Sequence, residues 1–196
     1  MKLKFSQRIY DRSLELASSR HAPAYLGGLS FTEAVILPIP PDFLLIPMVL
    51  AQKSRAWYFA ALTTISSVLG GLAGYLIGIF LYDSVGLWLM ELYGLEEYFQ
   101  VLGTWYEEYG IWMVLISGFL PIPYKVFTIA SGVFAMAILP FVIGSVIGRG
   151  ARFFAVSLIC YWAGDAVHSI MRRYATPIGW VLTVLVVILI VYWTLQ

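Results

Sequence analysis

Apolar positions dominate this chain, but the way polar residues interrupt them changes along it. From Ala56 to Tyr82 no charge breaks the run, and Thr176 to Leu195 is equally uninterrupted. Each matches or exceeds the roughly 20 residues needed to cross a hydrocarbon core, so both predict transmembrane helices. Pro140 to Gly164 predicts a further crossing. Two other apolar stretches are punctuated. Ala22 to Leu50 contains Pro23, Gly27, Gly28, Glu33, Pro38, Pro40, Pro41, Asp42 and Pro47, and Ile111 to Ile138 contains Gly118, Pro121, Pro123, Lys125 and Gly132. Proline lacks the N–H a helix needs and clashes with the turn before it. Each stretch therefore predicts two half-helices joined at an irregular tip, built on Pro38, Pro40 and Pro41 in one case and Pro121 and Pro123 in the other. A rival hydropathy reading takes Val126 to Ile147 as one ordinary span.

The tips repeat a phrase. "LPIPPDFLLIPMVLA" begins at Leu37 and "LPIPYKVFTIASGVFA" begins 83 positions later at Leu120, with Asp42 in one copy and Lys125 at the matching place in the other. Irregular backbone at membrane depth is tolerated only where protein or a wet cavity covers it, and paired broken segments in two halves of a membrane protein point to a midplane transport site. Two re-entrant hairpins meeting tip to tip account for the duplication.

Composition fixes the class. The 196 residues are 61% apolar and only 12% charged, with a mean hydropathy of +0.85. That exceeds what one soluble core of this size needs and predicts an all-α integral membrane protein. The stretch "MKLKFSQRIYDRSLELASSR" is basic and amphipathic without a signal-peptide core, which predicts a surface-lying helix over residues 1–20.

Net charge is +1, unevenly spread. Asp83, Glu91, Glu96, Glu97, Glu107 and Glu108 occupy residues 83–110 without one Lys or Arg, whereas Lys2, Lys4, Arg8, Arg12, Arg20, Lys53, Arg55, Arg172 and Arg173 sit in other exposed segments. The positive-inside rule places the basic segments in the cytoplasm and makes 83–110 an acidic external loop. The expected organisation is one membrane domain over 1–196: a first repeat over 22–82, a second over 111–164 related to it by inversion, and the final span over 176–195.

Five ionisable residues fall in apolar surroundings: Glu33, Asp42, Lys125, Arg149 and Arg152. Left in lipid they would cost about 12 to 18 kcal/mol together, so they must face one another, water or a ligand. Asp42 follows two prolines at the start of a half-helix, where the dipole favours an anion. Lys125 stands at the equivalent start, where the same dipole opposes it, so a partner is implied: Asp42, Glu33 or an anionic substrate. Arg149 and Arg152, in "IGRGARFF", share a helix face and can grip a phosphate or else snorkel toward the interface. Glu33 has no cation near it in sequence and reads either as a proton carrier or as a bond to a neighbouring helix. Gly70, Gly74 and Gly78 lie on one helix face and predict close packing. Cys160 reads as a packing residue, and His21 and His168 as surface residues. No histidine nucleophile or carboxylate cluster suggests an enzyme; no catalytic residue, metal, cofactor or nucleic-acid partner is expected.

The stretches "FTEAVILPIPPDFLLIPMVLA", "SSVLGGLAGYLIG", "SGFLPIPYKVFTIASGVFAM" and "GRGARFF", in this order and spacing, resemble the DedA superfamily, also described by its SNARE-associated or VTT domain, and within it the YqaA-like branch. The resemblance covers about Ala22 to Tyr174. It implies two inverted re-entrant hairpins with added spanning helices, in a bacterial inner membrane, and a role in moving an anionic lipid, undecaprenyl phosphate or a phospholipid, between leaflets. The superfamily's membrane acids correspond to Glu33 and Asp42. Its arginine-bearing motif corresponds to "GFLPIPYK", where Gly118 replaces the first arginine and Lys125 falls near the second, so that Arg149 and Arg152 would supply the missing positive charge. The expected function is translocation of a phosphate-headed lipid, held by Lys125, Arg149 and Arg152, with Glu33 and Asp42 coupling protons or balancing charge. A small-ion or proton antiporter using the same acids is the alternative, and self-association is left open.

Overall fold

The computed structural model describes residues 19, 21–37, 39–81, 96–120 and 122–163. The expected surface helix over 1–20 apart from Ser19, Pro38, Pro121, residues 83–95 of the acidic segment, His168 and the span over 176–195 lie outside the described residues.

Six α-helices follow one another, and no strand occurs among the described residues. They are α1 (Ala22–Val35), α2 (Asp42–Ala51), α3 (Ala56–Leu81), α4 (Glu96–Phe119), α5 (Tyr124–Val133) and α6 (Ile138–Trp162). A single 3₁₀ turn, Lys53–Arg55, links α2 to α3. The prolines act as their chemistry requires. Pro41 and Pro123 are the N-cap residues of α2 and α5, and Pro40 lies in the non-helical link before α2. A residue preceding proline is pushed out of the helical region, so α1 and α4 stop short of these positions. Each broken segment is thus helix, break, helix. The rival single span over Val126 to Ile147 is excluded, because α5 ends at Val133 and α6 starts afresh at Ile138.

One expectation is corrected. Residues 83–110 do not form a loop throughout, since α4 runs unbroken from Glu96 to Phe119. Its buried face carries Tyr106, Gly110, Val114 and Ser117, a helical spacing that the neighbouring acids obscured. Glu107 and Glu108 point outward on the same helix, with Trp105, Tyr109 and Trp112 exposed beside them.

Two runs, Lys53–Phe80 with 28 residues and Ile138–Trp162 with 25, are long and apolar enough to cross a membrane. At about 1.5 Å per residue each exceeds a hydrocarbon core of roughly 30 Å.

The packing repeats as the sequence does. Helix α3 lies against α1 and α5, α6 lies against α4 and α2, and α3 and α6 pack on each other. Small residues permit these crossings. A Cβ on Gly70 would strike the Phe31 carbonyl and one on Gly74 would fall 2.5 Å from Thr128 Oγ1; α6 meets α4 at Gly148, where a Cβ would lie 2.5 Å from Leu115 O. Glycines 70, 74 and 78 therefore form the packing face the spacing predicted, with α1 on Gly70 and α5 on the other two. One apolar cluster joins α1, α2, α3 and α6 through Leu26, Leu45, Met48, Phe59 and Phe153, with Cys160 buried in it as a packing residue. A second joins α1, α3, α4, α5 and α6 through Ala34, Tyr75, Tyr106, Val114, Tyr124 and Phe141.

Helix α5 closes through a left-handed residue: Ala135 has φ 49°, its N–H donates to Gly132 O at 3.0 Å, and Met136 N–H donates to Ser131 O at 2.9 Å. An L side chain in this conformation costs about 1–2 kcal/mol. Because Ala135 is exposed, its methyl offers little packing in return. Ala135→Gly should stabilise the protein by about 1 kcal/mol, read as a raised midpoint in thermal unfolding; an unchanged or lower midpoint would show that the turn is not strained.

Candidate functional site

All five intramembrane charges predicted from the sequence lie where the two breaks and α6 meet, but their pairing differs from expectation. Arg149, near the middle of α6, is fully buried. Its guanidinium forms a close ion pair with Glu33 of α1, and its Nε donates to Ser67 Oγ of α3 at 2.5 Å. The guanidinium carbon lies 4.6 Å from the Tyr124 ring centre and 5.0 Å from that of Phe153, one ring from each apolar cluster. Tyr124 is held in turn by its hydroxyl, which donates to Ser145 Oγ at 2.7 Å. A buried cation is tolerated where an anion, a hydrogen-bond acceptor and ring faces replace its water, and all three are present. Glu33 is thus no isolated carboxylate: its cation comes from a helix 116 residues away in sequence.

Arg152, one turn further along α6, donates to Asp42 Oδ2 at 2.6 Å; the two side chains are 19% and 20% exposed. Asp42 occupies the first turn of α2, as predicted, but its carboxylate bonds Arg152 instead of capping the helix. The two arginines therefore grip the acids on either side of the first break.

Lys125 pairs with neither acid. Its Nζ donates to the carbonyl of Ile36 at 2.8 Å. Ile36 is the C-cap of α1, so this oxygen belongs to a helix end whose last carbonyls lack intrahelical partners and carry negative partial charge. The lysine stands at the wrong end of its own helix and at the right end of α1. Of the partners weighed for Lys125, the acids Asp42 and Glu33 are instead paired with Arg152 and Arg149.

Two buried polar atoms at this cluster, Arg149 Nη1 and Asp42 Oδ1, have no hydrogen-bond partner among the described residues. Gly118, which stands where the resemblance would give an arginine, lies against α6: a Cβ there would be 3.2 Å from Arg149 N. Ser67, Tyr124 and Ser145 join the cluster without having been singled out in the sequence. Only the position of Tyr124, between Pro123 and Lys125 at a tip, gave a signal.

What this arrangement can do follows from exposure. Arg149, expected to hold a phosphate with Lys125 and Arg152, is fully buried and paired with Glu33. Arg152 and Lys125 keep partial access to the surface.

The chain shares its sequence pattern with known proteins. A family model described as the VTT domain matches residues 39–162. A Haemophilus influenzae protein is 39% identical over 186 residues, covering 95% of this chain and 96% of its own length. A Histophilus somni protein is 36% identical over 194 residues, covering 99% and 100%. Undecaprenyl phosphate transporter A of Staphylococcus aureus is 27% identical over 92 residues, covering 47% and 45%. No solved structure matches the chain.

Proposed function

The chain belongs to the VTT-domain family of the DedA superfamily, and from that membership we propose that it translocates a phosphate-headed lipid between membrane leaflets. Lys125 and Arg152 receive the head, Arg149 with Glu33 holds the frame, and Asp42 balances charge. The observation that supports this best is the convergence of three cations from the second repeat on the first break, two of them partly accessible. A phosphate can replace Asp42 on the Arg152 guanidinium, whose N–H groups offer it charge-assisted bonds, and Asp42 is the group that balances charge or couples a proton. The partial likeness to a protein described as an undecaprenyl phosphate transporter favours a polyprenyl phosphate, with a phospholipid as the other substrate of the same head chemistry. On this reading the two breaks are tips of inverted re-entrant hairpins in a bacterial inner membrane, with basic segments cytoplasmic and residues 83–110 outside.

The alternative, a small-ion or proton antiporter, needs a carboxylate free to exchange cations. Among the described residues of α1, α2, α3, α5 and α6 the acids are Glu33 and Asp42, and both are bound to arginine. The release of Asp42 that admits a phosphate would also free a carboxylate for a cation, so ion flux is measured beside lipid movement.

Reconstituted vesicles carrying a leaflet-resolved polyprenyl phosphate or phosphatidic acid test it. Lys125→Ala and Arg152→Ala should each slow translocation at least tenfold while the protein remains folded and monodisperse. Wild-type rates in both variants would remove these cations from the mechanism, and ion flux without lipid movement would establish the antiporter instead.

A further inference from the structure

Between α1 and α2 lies an apolar groove of about 550 Å³, lined by Tyr25, Gly28, Leu29 and Thr32 on one side and Leu44 and Met48 on the other. Its most informative residue is Gly28. The glycines of α3 and α6 described above, and Gly132 of α5 against the Tyr75 carbonyl, meet the backbone or side chain of a neighbouring helix, which explains them. Among the described glycines, Gly28 is alone in having nothing within 4 Å of where a Cβ would be. Glycine inside a helix is unfavourable relative to alanine. Here no packing contact of the described chain accounts for that loss, and what the missing methyl leaves is room in the groove.

The groove is suited to hydrocarbon. Thr32 contributes no spare hydroxyl, because its Oγ1 donates within α1 to Gly28 O at 2.8 Å and Leu29 O at 3.2 Å. Thr32, at one end of the groove's α1 wall, is tied to the charged site through hydrogen bonds of the chain. Thr32 O accepts the N–H groups of Ile36 and Leu37, and Ile36 O accepts Lys125. Across the break, Leu44 lies in the first turn of α2, the turn that begins with Asp42, the partner of Arg152. Cations at the end of an apolar slot are complementary to a molecule with an anionic head and an apolar tail.

We propose that this groove holds a hydrocarbon chain of the lipid whose phosphate engages Lys125 and Arg152. The assignment rests on the transport reading above and adds a tail site to it, with Gly28 as the residue that sets its width.

Full-length protein in phosphatidylcholine nanodiscs is doped with phosphatidic acid or phosphatidylcholine carrying the same diazirine-bearing acyl chain, photolysed, and the labelled residues are mapped by mass spectrometry. Phosphatidic acid should label Tyr25, Leu29 or Leu44 at least fivefold more per mole than phosphatidylcholine. Gly28→Phe, whose ring projects into open space, should cut that labelling at least tenfold, and Gly28→Ala, which returns only the methyl, should lower it by about twofold. Equal labelling by the two lipids would mean ordinary bilayer lipid and overturns the proposal. So does absence of labelling because another segment of this chain or a second copy covers the groove. A wild type that labels with head preference yet moves no lipid keeps the groove and sinks the transport reading. Normal translocation by Gly28→Phe with an unlabelled groove sinks the groove alone.

Discussion

Glu33→Ala is expected to destabilise the protein by about 3–5 kcal/mol, because it leaves the Arg149 guanidinium buried without its anion. Ser67 and the rings of Tyr124 and Phe153 remain as partial partners, and they do not neutralise a charge. A loss of this size is a large fraction of a typical stability of about 5–15 kcal/mol, so the purified variant should unfold well below the wild-type temperature. The informative companion is the double change Glu33→Leu with Arg149→Met. Replacing a buried ion pair by apolar groups of similar volume is often neutral or favourable, so the double variant should recover to within about 1 kcal/mol of wild type. If it stays as unstable as Glu33→Ala, the cost lies elsewhere than in the unpaired cation.

The second large effect is expected at the α3–α5 crossing. A Cβ on Gly132 would overlap the Tyr75 carbonyl and lie 3.0 Å from Gly78 Cα, and one on Gly78 would overlap the Ile129 carbonyl. These are backbone obstacles that no rotamer change can clear, so the helices must separate. Overpacking usually costs about 1–3 kcal/mol, and Gly132→Val should exceed the upper end of that range in thermal unfolding. Gly78→Ala and Gly132→Ala should each destabilise, and their combination should cost less than the two added, since the first already opens the crossing. Additive costs would mean that the two glycines face separate obstacles. Gly28→Ala is the control, neutral or stabilising.

Much of this fold was legible because its strongest signals are local. The proline phrases marked both breaks, the charge-free run at Ala56 marked α3 to within a residue at its end, and the glycine spacing marked the close-packed face. Helix α4 was legible only in part. Its stripe of Tyr106, Gly110, Val114 and Ser117 has helical period, but Glu107 and Glu108 between them lowered the hydropathy enough to suggest a loop. The members of the site were also visible as charges in apolar surroundings. Their pairing was not, because each acid meets a cation more than 100 residues away, and which arginine reaches which acid depends on how α6 faces α1 and α2. Ser67 and Ser145 gave no signal at all, since a serine in an apolar helix looks the same whether or not an arginine lies beside it.

The division of charge between the repeats bears on synthesis. Both carboxylates belong to the part of the chain made first, and all three cations belong to the part made later. At about 5–20 residues per second, the 116 residues from Glu33 to Arg149 take on the order of ten seconds to emerge. During that interval the nascent first repeat holds two acids with no counter-ion of its own in the cluster, and only the arrival of α6 completes their pairing.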